Sequence, residues 1–386
     1  MFKKILLVNL LFSVTFVFAK NVAISNNGTG DFLIAPIYIA KNGICTNIVV
    51  YNTNETNSIL AKVTIRERIA SHEVDLPIFL SPSDVWSGQL CGTTNGVILK
   101  SIDDSNHPAI KDELSLGKNL TIHSHNAGHK NVDFSKGYIE VYPIAQFNEK
   151  STDKVTKDIL VKRWDQLNNG DTTNTKLVNT GVGNFLSGVL QYEREYANTA
   201  VLPMMAFYNA HDRQLSGDVI SYANETSASS ILGINKRNQI LKLLQNRVTT
   251  FTFDSYGKDQ YISLTFPFGY VSNQIRTYEV TVRDMSENKN IIVKNVQIFS
   301  PKPIVQKITN TLYNEVSTIS VAKIIELTED PTMFAQGIIH IKDITNITNI
   351  QLGKGKISSF IPVKVHFTST CKENSIVNYT TYIPSK

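Results

Sequence analysis

Apolar and polar residues alternate in short stretches along most of this chain, and long helical periodicities are scarce. Over 59–67, Ala61, Val63 and Ile65 fall on one side while Lys62, Thr64 and Arg66 fall on the other. A period of two is that of a strand, and this distribution predicts a sheet with one dry and one wet face. Similar stretches predict strands over 31–39, 46–51 and 137–142, with Asn42-Gly43 as a hairpin turn and Pro36 pushing the first strand toward a sheet edge. Ser81-Pro82-Ser83-Asp84 has the layout of a helix start, with Ser as the cap, Pro at the first position and a carboxylate three residues on.

The polar stretch 151–183 reads as a linker or long loop and places a domain boundary near residue 150. Beyond it strands are expected over 186–194, 200–208, 260–266, 277–283, 291–299, 316–322, 337–341, 362–367 and 377–382. One amphipathic helix is expected over 234–246, with Ile240, Leu241 and Leu244 on its apolar face and Lys236, Arg237, Lys242 and Arg247 in water. The fold class expected is all-β. Two antiparallel, Ig-like β-sandwich domains would span 20–150 and 184–386, with the helix packed on the second. Strands of uneven length, broken by a helix and a polar stretch, argue against a transmembrane barrel.

The N-terminus changes the picture of where such a fold works. Lys3 and Lys4 precede an apolar run over 5–18, and Val17-Phe18-Ala19 offers a cleavage site, so 1–19 reads as a secretory signal peptide. The run is shorter than a membrane-spanning helix requires, and no integral membrane segment is expected in the mature chain. In an oxidising compartment the three cysteines suggest one disulfide, Cys45–Cys91, with Cys371 left over; three reduced buried thiols are the alternative. The 386 residues are 42% apolar and 18% charged with a net charge of +5, which supports a folded core. The charge shows no basic run that would suggest a nucleic-acid partner.

Several blocks taken together resemble a family of secreted bacterial β-rich proteins. They are Gly30-Asp31-Phe32-Leu33-Ile34-Ala35-Pro36, Val63-Thr64-Ile65-Arg66-Glu67, Phe79-Leu80-Ser81-Pro82-Ser83-Asp84-Val85-Trp86 and Gly137-Tyr138-Ile139-Glu140-Val141. Leu264-Thr265-Phe266-Pro267 and Asn314-Glu315-Val316-Ser317-Thr318-Ile319-Ser320 follow in the same order. The resemblance implies export to the surface or the exterior and implies no reaction.

Candidate chemistry is sparse. His123, His125 and His129, with His107 upstream and Asp133 as a further ligand, form the one suggestive metal cluster, but they lack a fixed-spacing signature. Glu67, Asp84 and Glu140 are carboxylates that would have to meet across a cleft to serve a glycosidase. Asp165 to Gly170 fails as a calcium loop because Leu167 occupies a ligand position. No nucleophile elbow, zinc-protease string or phosphate loop is present. No catalytic residue, cofactor or metal is therefore assigned. The expected role is a non-enzymatic structural or adhesive protein of the cell surface or extracellular space. Its partners would be itself or other surface proteins, through edge-strand pairing that involves 31–39 and 377–382. The alternative is a soluble periplasmic ligand-binding module or hydrolase.

Overall fold

A computed structural model describes residues 21–41, 43–68, 72–120, 132–149, 154–169, 176, 183–194, 200–211, 228–244, 248–253, 255–258, 260–265, 274–284, 290–300, 316–326, 332, 335–343 and 361–366. Its first strands are β1 (Ala23–Ile24), β2 (Phe32–Ile39), β3 (Ile44–Asn52), β4 (Asn57–Glu67), β5 (Glu73–Leu80), β6 (Val85–Thr93) and β7 (Gly96–Lys100). Helix α1 (Pro108–Leu116), β8 (Lys118–Asn119), β9 (Lys136–Asn148), α2 (Lys157–Asn168), β10 (Leu186–Arg194), β11 (Ala200–Pro203), β12 (Met205–Tyr208) and α3 (Ala228–Leu244) follow. The remaining elements are β13 (Val248–Phe253), β14 (Gln260–Thr265), β15 (Gln274–Asp284), β16 (Asn290–Ser300), β17 (Val316–Ser320), α4 (Val321–Ile325), β18 (Gly337–Asp343) and β19 (Ile361–His366).

The protein is mostly β, and its sheets are antiparallel. Among the described residues the strand orders are β1-β12-β2-β9-β4-β5, β11-β10-β3-β6-β7-β8, β13-β18-β15-β16 and β17-β14-β19. The first two sheets face each other. In β3 burial alternates residue by residue, with Ile44, Thr46, Ile48 and Val50 inward. They meet Leu33, Ala35 and Ile37 of β2 and Ala61, Val63 and Ile65 of β4 in one core, which Trp86, Leu90, Leu99 and Leu190 complete.

The other face of the first sheet carries a second core. Phe32 and Ile34 of β2, Leu60 of β4 and Tyr142, Ile144 and Phe147 of β9 pack on Leu160, Trp164 and Leu167 of α2 and on Ile240 and Leu244 of α3. The arrangement is therefore sheet, sheet and helices, with the first sheet buried on both faces. β2 is buried at all eight positions.

Five expectations change. The face of β4 expected to be wet is covered: Lys62 is 4% exposed and Thr64 fully buried. The strand expected at an edge, and as an exchanging strand, lies inside the first sheet between β12 and β9. Pro36 is accommodated because the β2–β9 register shifts between Ala35 and Tyr38, where no ladder N–H is required. The stretch 151–183 contains α2, whose Leu160, Trp164 and Leu167 recur at helical spacing inside a polar composition. Ser81 to Asp84 is a turn from β5 into β6 rather than a helix start. The Asp84 carboxylate accepts from Ser81 N and Oγ, each at 2.9 Å, and the period-two residues that follow continue as a strand.

The fifth concerns domain organisation. β10 pairs with β3 along nine positions and β12 pairs with β2, so strands from beyond residue 150 complete both N-terminal sheets. The helix expected on the second domain spans Ala228–Leu244, and its Ile240 and Leu244 belong to the core under the first sheet. The strand expected over 377–382 lies outside the described residues.

Candidate functional site

The anticipated disulfide is present. Cys45 and Cys91 stand directly opposite each other in β3 and β6, with Cα atoms 4.4 Å apart, and are bonded. Their neighbours Ile44, Thr46 and Leu90 point into the core, so the period of two turns both cysteines to the outer, half-buried face of the second sheet. Cys371 lies outside the described residues, as do His123, His125 and His129.

The residues flanking the histidines have other work. The His107 imidazole caps α1, its Nδ1 accepting from Ala109 N at 3.1 Å. Asp133 accepts from Ser135 N at 3.0 Å and lies 3.4 Å from Arg68 Nε. Burial pushes the Asp133 carboxyl up, but Ser135, Arg68 and Lys41 outweigh it and hold it below the usual carboxylate range. Among the described residues no group of three or more His, Cys, Asp or Glu is placed to hold a metal ion.

The three carboxylates considered for a glycosidase pair occupy separate settings. Asp84 holds the turn before β6 and bonds to Lys157 at the start of α2. Glu140 bonds to Arg66. Glu67, one residue further along β4, alternates to the opposite face and accepts from His72 N at 3.3 Å.

Glu140 belongs to a charged cluster buried in the outer face of the first sheet, which the sequence pattern did not suggest. Arg66 Nη1 lies 2.6 Å from Glu73 Oε2 and its Nε 2.7 Å from Glu140 Oε2. Thr64 Oγ1 donates to Asp75 Oδ1 at 2.6 Å, and Lys62 Nζ stands 4.0 Å from Asp75. Register produces this: Arg66 is paired with Glu73 across β4–β5, and Thr64 with both Asp75 and Glu140. The Glu73 carboxyl is raised to about 7: burial is the largest cause, Arg66 opposes it, and the neighbouring Asp75 and Glu140 add to the rise. Complementary charges at facing positions are the signal, but they become visible only once the strand pairing is known.

A cleft opens at one end of the sandwich. It lies between the residues that follow β2, the β6–β7 hairpin and the chain that enters β9, and its volume is about 620 Å³. Lys41, Thr93, Thr94, Asp133 and Ser135 line it, with Val97 and Val132 as apolar walls. The two sheets approach closely here, and a Cβ at Gly92 would sit 2.4 Å from Ala40 O. Lys136 follows at the start of β9. Burial pushes its amine down to about 7, and Lys41 and Arg68 act in the same direction.

No protein-family model, curated protein or solved structure matches this chain.

Proposed function

We propose that the protein is an exported structural or adhesive component of the cell surface or extracellular space that works through protein contacts rather than through catalysis. One observation carries this reading: the Cys45–Cys91 disulfide clasps β3 to β6 on the outer face of a sheet. A disulfide persists in an oxidising compartment and is rare in a cytosolic one, where thiols are kept reduced. The leader-like segment 1–19 supports the same destination, as does the absence, among the described residues, of any helix long and apolar enough to cross a membrane. The idea that sandwich domains associate through sheet edges remains part of the proposal, without β2 as the exchanging strand.

Cell fractionation combined with sedimentation of the purified protein tests this. The expected result is a chain processed near Lys20, found at the surface or in the medium, that self-associates or binds surface proteins. A reduced, unprocessed chain in the cytoplasm would contradict it, as would turnover of a substrate abolished by one polar substitution.

A second reading, a soluble periplasmic ligand-binding module, is favoured by the cleft at the sandwich end. Its volume falls within the range of small-molecule sites.

A further inference from the structure

We infer that Lys62 and Asp75 condense to an intramolecular amide that cross-links β4 to β5, with the Thr64 hydroxyl activating the carboxyl for attack.

Register brings the two reactants together. Thr64 lies opposite Asp75 and Lys62 opposite Pro77, so Asp75 is the diagonal neighbour of Lys62 on the same face of the β4–β5 pair. Lys62 Nζ stands 4.0 Å from Asp75 Oδ2, and the two side chains are 5% and 4% exposed. That separation is too long for a hydrogen bond, yet short enough for a rotamer change of the flexible lysine stem to carry Nζ onto Asp75 Cγ. Keeping both groups ionised away from water is costly. Transfer of one proton within the pair gives an amine and an acid, the two reactants of amide formation.

Neighbouring hydroxyls supply the activation. Thr64 Oγ1 donates to Asp75 Oδ1 at 2.6 Å, so its single proton is committed to the oxygen on which negative charge develops under attack. Tyr142 Oη lies 3.1 Å from Thr64 Oγ1 and is therefore the donor in that contact. Burial, with Asp75 after it, pushes the Tyr142 phenol above its ordinary range and keeps that proton in place. Thr64 and Tyr142 are both fully buried, so the relay is shielded from solvent.

The step balances without an oxidant, a metal or a cofactor. Lys62 Nζ bonds to Asp75 Cγ, the Cγ–Oδ2 bond breaks, and Oδ2 leaves as water with two protons from the ammonium. The product is a neutral amide. It removes one buried charge of each sign from the cluster and leaves Arg66 with Glu73 and Glu140. Among the described residues β5 ends the first sheet, so the bond fastens an edge strand that is otherwise joined to β4 by ladder hydrogen bonds.

Mass spectrometry of the purified, denatured full chain tests the inference. The parent is expected to be lighter than its processed sequence by one water, beyond the two hydrogens lost to the disulfide. Trypsin should fail to cut after Lys62, and two tryptic peptides should remain joined between Lys62 and Asp75. Lys62→Arg, which keeps the charge, should lose no water and leave the circular dichroism unchanged. In a time course after cell-free synthesis, Thr64→Val should slow the mass loss about a hundredfold. The unaltered sequence mass in parent protein that has folded and formed Cys45–Cys91 overturns the inference and leaves an ordinary ion pair. A lost water that maps to other residues, or that persists in Lys62→Arg, overturns it as well, and an undiminished rate in Thr64→Val contradicts the role of the hydroxyl.

Discussion

At the scale of single residues, Glu73 shows how strand pairing can reset the chemistry of an ordinary side chain. Its carboxyl titrates near 7 in the folded protein and near 4.5 in an unfolded chain. The folded state therefore binds the proton more tightly, and stability falls as pH rises between those two values. Asp84 and Glu149 act oppositely. In each, burial is outweighed by a basic partner, Lys157 and Arg163 respectively, so their stabilisation is lost as pH falls below the carboxylate range. Lys136 makes stability rise with pH from about 7 up to its ordinary value of 10.5, the interval in which the unfolded chain still holds a proton that the folded amine has released. Comparing Glu73→Gln with the parent cancels the other groups. The parent should lose about 2–3 kcal/mol more than the variant between pH 5 and pH 8, measured by urea unfolding. Equal losses would remove Glu73 from the account.

None of this was legible beforehand. The sequence shows that Lys62 and Arg66 alternate with apolar residues, and solvent is the default neighbour of such a face. Only the packing of α2 and α3 against the first sheet makes it interior.

At the scale of elements, two connections stand out. α2 is fastened to the end of β9 by Arg163, which bonds to both oxygens of Glu149, while Ser58 Oγ donates to the same carboxylate at 3.0 Å. The Glu149 side chain is 2% exposed and that of Arg163 8%. Arg163→Met leaves a buried carboxylate without its main partner and should cost about 3–5 kcal/mol, read as a shift in the urea midpoint. Adding Glu149→Leu should recover much of that loss. The Cys45–Cys91 bond closes a loop with a sequence separation of 46 residues. Replacing both cysteines by Ser should lower stability by about 3–4 kcal/mol on the chain-entropy account.

Alternation marks the strands of these elements because period two survives any sheet order. The compartment and the count of cysteines point to the disulfide, whereas its cross-strand geometry becomes visible only with the β3–β6 register. The three apolar contacts of α2 sit among Lys, Asp and Asn, so polar composition conceals a correct helical spacing. The turn at Ser81 to Asp84 carried capping residues that bond to one another instead of to a helix, and local sequence does not separate those outcomes.

At the scale of the whole molecule, the central claim is that strands from both sides of residue 150 build a single pair of sheets backed by helices. A polar stretch suggested a boundary there, yet β10 and β12 return across it and contribute Leu186, Leu190 and Phe207 to the two cores. Sequence order cannot reveal such a return, because a strand's pattern records which faces are buried and not which neighbours it pairs with.

The most direct test compares urea unfolding of a chain covering 20–150 with one covering 20–244, followed by the fluorescence of Trp86. That residue is fully buried in the core between the sheets and is the only tryptophan in the shorter chain. The account predicts a cooperative transition for 20–244 and none for 20–150, which lacks the strands that cover β2 and β3. A cooperative transition of undiminished stability in 20–150 alone would contradict it.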